Sequence, residues 1–437
     1  MHAIPVVRRL LATGVACLGV ATASAESLSP AQQKIAAAER VIQAAPERAE
    51  AHADLALALA RRARETADPT YYDRADAAIA RSLEVAPGNL AAERTRIWVR
   101  LGKHEFAQAL ELAQRLNRKV PDDLMTYGFL VDANVELGNY AEAEEAAQWL
   151  LNLRPGNIAG LTRAAYLREL FGDIEGALDL MQMAYGRTPP TEVEEQAWIL
   201  TQMAHLQLMQ GKVDVADALL GEALARFPDY HYALGQLARV RSAQGRHREA
   251  VGLERRRYER APYPEHLFAL GMALRQGGER QAAARAFAEF ERKARAEMDG
   301  WDNANRELVF YYADVARRPG DALTVAEKEI ARRRDVHTRD AYAWALSLNG
   351  RHAEARREIE QALAVGIREA GMLYRAGAIA AKLKDREAAR RYLDQSLALA
   401  PRWETSDAAR RLLARLGGSG VTSRPRDPGA PSPPRRR

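Results

Sequence analysis

Prolines recur along this chain at a fixed interval of 34 residues. The prolines at this spacing are Pro87, Pro121, Pro155 and Pro189, followed by the pair Pro228 and Pro262. An interval of this length is typical of stacked helix pairs, in which each pair buries its apolar face only against its neighbours. Ala, Leu, Arg and Glu dominate the composition and β-branched residues are sparse, which favours helices throughout. The sequence therefore predicts an all-α repeat array rather than one compact core.

Glycines recur inside seven of the predicted helix pairs. They are Gly102, Gly138, Gly172, Gly211, Gly245, Gly278 and Gly350. Glycine adopts positive φ at little steric cost, so we expect each of these residues to allow the tight turn between two antiparallel helices.

Between these prolines and glycines, small and large side chains recur in register. They are Leu200, Met203, Ala204, Ala216, Leu220 and Ala223 in 197–230, then Leu267, Leu270, Gly271, Leu274, Ala283 and Phe287 in 264–297, then Tyr342, Ala343, Leu346, Ala355, Ile359 and Ala362 in 336–369, and Leu373, Ala376, Gly377, Ala389 and Leu393 in 370–403. Small residues let neighbouring helices approach to roughly 8–10 Å, and large residues fill the space between them. This pattern resembles the tetratricopeptide repeat family. The resemblance implies a right-handed superhelical solenoid of about ten tetratricopeptide-like helix pairs.

The body can be divided on this basis. Ser29-Pro30 reads as the N-cap and first residue of a helix. The predicted parts are a signal peptide at 1–25, a half-repeat at 26–46, repeats one to seven at 47–299, repeats eight to ten with a capping helix at 300–416, and a basic, proline-rich, disordered tail at 417–437.

The N-terminus has the pattern of a secretory signal. Arg8-Arg9 precede a short apolar run over 10–22, and small residues lead to a cleavage site after Ala25. The run is shorter than the ~20 residues that a membrane-spanning helix needs. We therefore expect an exported, periplasmic protein without cysteine, because Cys17 leaves with the signal; an uncleaved anchor remains the alternative.

Charge is unevenly distributed in this chain. The formal net charge of +6 arises at the two ends, whereas residues 26–200 carry −8 and residues 201–416 carry +8. A bipolar rod of this kind can steer a charged partner or associate head to tail with a copy of itself. No basic stripe interleaved with aromatic residues is evident, so nucleic acid is not an expected partner.

The resemblance implies that positions 2, 5, 9 and 12 of each repeat face a concave groove. In the last three repeats the candidate partner-binding residues are Glu307, Tyr311, Asp314, His337, Asp340, Trp344, Tyr374 and Arg375. They predict an acidic, aromatic-lined strip that selects an amine or a Lys or Arg side chain. The alternative is that Tyr311 and Trp344 only pack between helices. A second candidate groove comprises Tyr166, Trp198, His205, Tyr232 and Arg239.

Catalytic function is not predicted. The chain lacks the G-x-S-x-G, H-E-x-x-H, phosphate-loop and C-x-x-C motifs, and we expect no catalytic residue, metal or cofactor. The family's clamp for chaperone C-termini uses Lys at position 5 and Asn at position 9, and this chain does not have that pair. The sequence therefore predicts a scaffold or adaptor of the cell envelope that binds a protein or peptide. The alternative is a structural subunit whose tail, ending in Arg435-Arg436-Arg437, makes weak contact with an anionic envelope surface.

Overall fold

The computed structural model describes residues 28–66, 68–300, 303–400 and 405–417. These residues form 22 α-helices and one π-helical turn, with no strand among them. The elements are α1 (Pro30–Ala44), α2 (Ala49–Thr66), α3 (Thr70–Val85), α4 (Leu90–Gly102), α5 (Phe106–Lys119), α6 (Leu124–Leu137), α7 (Tyr140–Leu153), α8 (Ile158–Leu170), α9 (Ile174–Arg187), α10 (Val193–Met209), α11 (Val213–Arg226), α12 (His231–Ala243), α13 (His247–Arg260), α14 (Pro264–Gln276), α15 (Arg280–Glu297), α16 (Asn305–Phe310), the π-helical turn Tyr311–Val315, α17 (Pro319–Arg332), α18 (Val336–Leu348), α19 (His352–Ala364), α20 (Ala370–Lys382), α21 (Arg386–Leu399) and α22 (Ser406–Gly417). The predicted signal peptide and nearly all of the predicted tail lie outside the described residues.

Consecutive helices pack as antiparallel pairs. Helix α1 packs on α2, ten pairs run from α2/α3 to α20/α21, and α22 packs against the last pair. The predicted all-α solenoid of about ten helix pairs is confirmed. Among the described helices, none combines the length and the apolar character needed to cross a lipid bilayer.

Local sequence explains where these helices begin and how they pack. The Ser29 hydroxyl caps α1 by accepting a hydrogen bond from the Gln32 backbone amide, and the Gln32 side-chain oxygen accepts one from the Ser29 backbone amide. In the α10/α11 pair, Ala216 and Ala223 are fully buried beside Leu220. Small side chains at these positions bring the helices together, as the repeat pattern requires.

The turn glycines behave as expected in six of the seven pairs. Positive φ angles occur at Gly138, Gly172, Gly211, Gly245, Gly278 and Gly350. The prediction is wrong for Gly102, which ends α4 in helical conformation. A Cβ atom there would lie 2.3 Å from the Tyr72 ring, and His104 takes the positive φ instead, at 56°. Gly102 is thus required for packing rather than for the turn.

The eighth pair is irregular because its first helix changes its hydrogen-bonding pattern. Helix α16 passes into the π-helical turn, where the Ala316 amide donates to the Tyr311 carbonyl at 2.8 Å. Arg317 follows with a φ of 57°, and α17 then begins at Pro319. Such single π turns inside helices are frequent at functional sites, and this one faces the inside of the superhelix.

Successive turns of the superhelix touch one another, which the repeat pattern did not predict. The Arg334 amide donates to the Glu136 carbonyl at 2.9 Å, and the Val336 amide donates to the Tyr140 hydroxyl at 2.9 Å. Val336 also shares one buried cluster with residues of α6 and α8. We call this junction the seam. On one side it comprises the α6–α7 and α8–α9 turns, and on the other side the segments 333–336 and 366–368.

Two glycines permit this close approach. A Cβ atom on Gly138 would lie 2.7 Å from the Arg334 carbonyl oxygen, and one on Gly172 would lie 2.6 Å from the Gly366 carbonyl oxygen. A side-chain atom at either position would therefore collide with backbone of the next superhelical turn. These glycines serve both the local turn and the seam.

The N-terminal repeats also fold back against the middle of the chain. The Arg64 guanidinium donates to Glu194 at 3.0 Å, and His231 Nε2 lies 3.3 Å from the Arg64 carbonyl. The chain therefore contacts itself across distant repeats both here and at the seam.

Candidate functional site

A cavity of about 1040 Å³ lies on the concave side of the superhelix. Its walls come from the inner helices α10, α12, α14, α16, α18 and α20, with the capping helix α22 on one side. Six residues predicted to bind a partner line it: Tyr232, Arg239, Asp314, Trp344, Tyr374 and Arg375. We call this cavity the chamber. Ligand pockets usually measure about 300–1,000 Å³, so the chamber is large enough for a segment of several amino-acid residues.

Aromatic side chains line part of the chamber wall. The Trp344 and Tyr374 rings lie with their centroids 6.3 Å apart, and Trp344 Nε1 donates to Asp314 Oδ1 at 3.0 Å. Burial is the main cause that raises the pKa of Asp314 above its ordinary value. The structure thus joins residues from both predicted grooves into one site.

Tyr311 and Glu307 do not reach the chamber. Tyr311 is 8% exposed and packs against Phe287 and Phe290, with ring centroids 5.7 Å and 5.6 Å away. Its hydroxyl donates to Glu291 at 3.1 Å. Glu307 lies beside Arg306 at 3.6 Å and does not line the cavity. Neither residue therefore lines the chamber, and Tyr311 takes the packing role given above as the alternative.

Asp340 and His337 form ion pairs with neighbouring helices. Asp340 is 2% exposed, and Arg375 Nε donates to its Oδ1 at 2.8 Å. His337 Nδ1 lies 3.5 Å from Glu369 Oε2. Although burial alone would lower the pKa of His337, the hydrogen bond and charge of Glu369 raise it. Neither residue lines the chamber; Asp340 is buried in its pair with Arg375, and the partly exposed His337 contacts Glu369.

The chamber is not the acidic strip that the sequence suggested. Its lining contains four carboxylates, which are Glu254, Asp314, Glu369 and Asp407. Six arginines accompany them: Arg239, Arg257, Arg275, Arg317, Arg375 and Arg411. Because Arg375 is already paired with Asp340, which does not line the cavity, five arginines remain beside the four carboxylates, and the wall carries only a small excess of positive charge. The excess of acid on which the expected selection of an amine or a basic side chain depended is therefore not found.

Three residues of the second predicted groove lie elsewhere. Tyr166 packs into the cluster at the seam. His205 Nε2 lies 3.0 Å from Glu169, and Trp198 lies 6.0 Å from the Arg64 guanidinium at the N-terminal contact. None of the three lines the chamber, and each contacts a neighbouring part of the chain instead.

Arg257 shows how the repeat accommodates a large residue where the family pattern has alanine. Its guanidinium lies over Gly235, where a Cβ atom would come within 2.7 Å, and its Nη1 lies 3.3 Å from Glu254. The Arg257 side chain lines the chamber. Glycine at position 5 of the repeat thus makes room for an inward-facing arginine.

Several chamber residues were missed by the sequence analysis. Phe268, Met272 and Arg275 occupy positions 5, 9 and 12 of the repeat 264–297, so the groove-facing rule applied to that repeat would have found them. Arg317 and Arg411 stand outside the repeat pattern, after the π-helical turn and on the capping helix. No sequence signal in the repeats indicates them.

Comparison with known proteins agrees with this architecture. The family model described as the tetratricopeptide repeat matches residues 370–402, which contain α20 and α21. Residues 370–402 are a tetratricopeptide repeat. The predicted resemblance to this family is therefore confirmed. No curated protein sequence matches the chain.

Several solved structures are similar to parts of this structure. The type IV pilus biogenesis factor PilW has 16% identity and a TM-score of 0.40, and the match covers 46% of this chain and 90% of PilW. A human IFIT1 dimer with PPP-AAAA has 13% identity and a TM-score of 0.46, over 86% of this chain and 96% of that chain. A tetratricopeptide repeat protein from Parabacteroides merdae has 17% identity and a TM-score of 0.36, over 59% and 98% respectively. These similarities transfer no function to this chain.

Proposed function

We propose that this chain is a non-catalytic scaffold of the cell envelope, which holds a partner protein by taking one of its peptide segments into the chamber. The observation that carries the proposal is the chamber itself, because it gathers aromatic and charged side chains from six inner helices around one large cavity. Stacked helix pairs commonly use such concave surfaces to bind extended or helical peptides.

Aromatic anchors would supply most of the affinity. Trp344 and Tyr374 present large surfaces whose ordering costs little conformational entropy, and partner-binding energy concentrates on such residues. The polar groups around them, including Gln202 and Gln276, offer hydrogen bonds to a peptide backbone. The envelope location rests on the N-terminal sequence pattern, with cleavage after Ala25.

A crosslinking capture experiment tests this function. The chain and a Trp344→Ala/Tyr374→Ala variant are each incubated with an envelope extract and crosslinked, and recovered proteins are identified by mass spectrometry. Tyr127→Ala/Trp149→Ala is the matched control, since the ring centroids of that Trp–Tyr pair are also 6.3 Å apart, and Trp149 is 49% exposed outside the chamber.

We expect a partner that the chain and the control variant recover and that the chamber variant loses, while circular dichroism shows unchanged helicity. Equal recovery by all three proteins would contradict a binding role for the chamber. Affinity for the purified partner, measured by calorimetry, then gives the size of the effect.

A further inference from the structure

Three arginines of the chamber have no ion-pair partner among the residues that the structure describes. Arg275 ends the inner face of α14, Arg317 follows the π-helical turn, and Arg411 lies on α22. All three are solvent-exposed and line the same cavity. Arg375 differs from them, because Asp340 engages its guanidinium. The chamber thus presents three cationic groups from three separate elements.

The backbone holds one of these groups in a conformation that an arginine rarely adopts. Arg317 has a φ of 57°, in the left-handed region that is unfavourable for a non-glycine residue. The next residue fixes this turn, because the Arg318 amide donates to the Tyr312 carbonyl at 2.8 Å and the Arg318 guanidinium lies 4.4 Å from the Tyr312 ring centroid. In the irregular eighth pair, a strained backbone conformation at Arg317 therefore accompanies the placement of its guanidinium on the chamber wall.

The remaining wall decides which kind of anion fits. Glu254, Asp314, Glu369 and Asp407 also line the cavity, and their charges would repel a continuous polyanion such as a nucleic acid. A peptide carries its carboxylates on separate side chains, so it can place them at the arginines and keep apolar groups near Trp344 and Tyr374.

We propose that the chamber binds an acidic peptide segment, whose carboxylates pair with Arg275, Arg317 and Arg411. This inference rests on the proposed function, that a peptide enters the chamber, and adds the chemistry of that peptide. None of the three arginines stands at position 5 or 9 of its repeat, so the site differs from the clamp excluded by the sequence. Arginine suits the task because its planar guanidinium binds carboxylates through two parallel hydrogen bonds.

A peptide selection tests the inference. A random dodecapeptide phage library is panned on the full chain, and the enriched peptides are synthesised with a fluorescein label for anisotropy titrations. The titrations are repeated with Arg275→Gln/Arg317→Gln/Arg411→Gln. The control removes the same charge from the exposed face of the second helices, through Arg248→Gln/Arg255→Gln/Arg285→Gln. A variant with lysine at the three chamber positions retains the charge, and circular dichroism verifies that every variant is folded.

We expect enriched peptides with at least two Asp or Glu residues, whose affinity falls at least about 100-fold in the chamber glutamine variant and stays within about twofold in the control. The lysine variant should recover part of the affinity, and salt should weaken binding. Enrichment of neutral or basic peptides that bind in the chamber would overturn the acidic chemistry and leave the proposed function standing.

Two other outcomes would overturn the inference. If a ten-nucleotide oligothymidylate binds more tightly than every selected peptide, and only with the chamber arginines present, the ligand is a nucleic acid. If no peptide is enriched in a manner that depends on Trp344 and Tyr374, the inference and the proposed function both fail.

Discussion

Alanine at the seam glycines should destabilise the chain more than alanine at equivalent glycines elsewhere. Gly138 and Gly172 have φ angles of 78° and 82°, and Gly211 and Gly245 have φ angles of 74° and 75°. All four occupy the same turn of a helix pair. Only the first two lie against another superhelical turn, because a Cβ atom on Gly211 or Gly245 would meet nothing within 4 Å.

The magnitude follows from this difference. Alanine in a left-handed conformation costs about 1–2 kcal/mol, and this penalty applies to all four variants. At Gly172 the added Cβ atom would lie 2.6 Å from the Gly366 carbonyl oxygen, well inside ordinary van der Waals contact. Overpacking of this kind costs a further ~1–3 kcal/mol, or the seam opens and loses its hydrogen bonds at about 1 kcal/mol each. We therefore expect an excess of about 1–3 kcal/mol for Gly138→Ala and Gly172→Ala.

Urea unfolding followed by circular dichroism measures the loss of stability. Small-angle X-ray scattering reports whether the superhelix has opened, since the radius of gyration then rises while the helical signal is retained. Equal destabilisation of all four variants, with unchanged scattering, would refute the conclusion that the superhelical turns touch at the seam.

Three further predictions concern packing and buried charge. Asp340→Asn leaves Arg375 buried without its counterion and should lower the free energy of unfolding by about 3–5 kcal/mol in urea titrations, and a smaller loss than about 1 kcal/mol would contradict the buried pair. Burial lowers the pKa of His231 to about 4 and that of His266 to about 2, so the unfolded chain binds protons first as the pH falls below about 6.5. Protonation of each histidine in the unfolded chain should therefore lower the free energy of unfolding by about 2 kcal/mol between pH 6.5 and pH 5. In thermal melts over that range, the free energy of unfolding of a His266→Asn variant should fall less steeply with pH. Ala216→Leu should cost about 1–3 kcal/mol because Ala216 is fully buried between paired helices, and a stabilising effect would contradict the tight crossing of α10 and α11.

The repeat architecture could be predicted because its determinants are local. Prolines at a fixed interval, small residues such as Ala216 and Ala223, and turn glycines repeat within one helix pair and its neighbour. The residues that pack each helix pair lie within that repeat and its neighbour, so the ten pairs could be counted without knowledge of distant contacts. Gly102 broke the rule because the position that looked like a turn glycine instead packs under the Tyr72 ring.

The seam could not be predicted, because its contacts join residues far apart in sequence. Val336 and Tyr140 are 196 residues apart. The residue pattern of neither repeat predicts the curvature of the superhelix, which brings these two residues together. The same curvature determined which candidate residues reach the chamber. Tyr232 and Trp344 come from the two separate predicted grooves and line one cavity.

The charge of the site was mispredicted for a related reason. Asp340 counted as an exposed acid in the sequence, but Arg375, 35 residues later, covers it. One unpaired cation, Arg411, belongs to the capping helix, whose side chains were not assigned to any groove. Pairing between neighbouring repeats decides which charges remain available, and the groove-facing rule does not contain that information.

The most direct test of a peptide-binding chamber is site-specific photocrosslinking in the intact cell envelope. A benzophenone amino acid replaces Tyr374 in the chamber or Trp149 outside it, and the adducts are sequenced by mass spectrometry. We expect one partner protein to be crosslinked from position 374 through an acidic segment, and no such adduct from position 149. Adducts of the same protein from both positions, or from position 149 alone, would contradict a peptide-binding chamber.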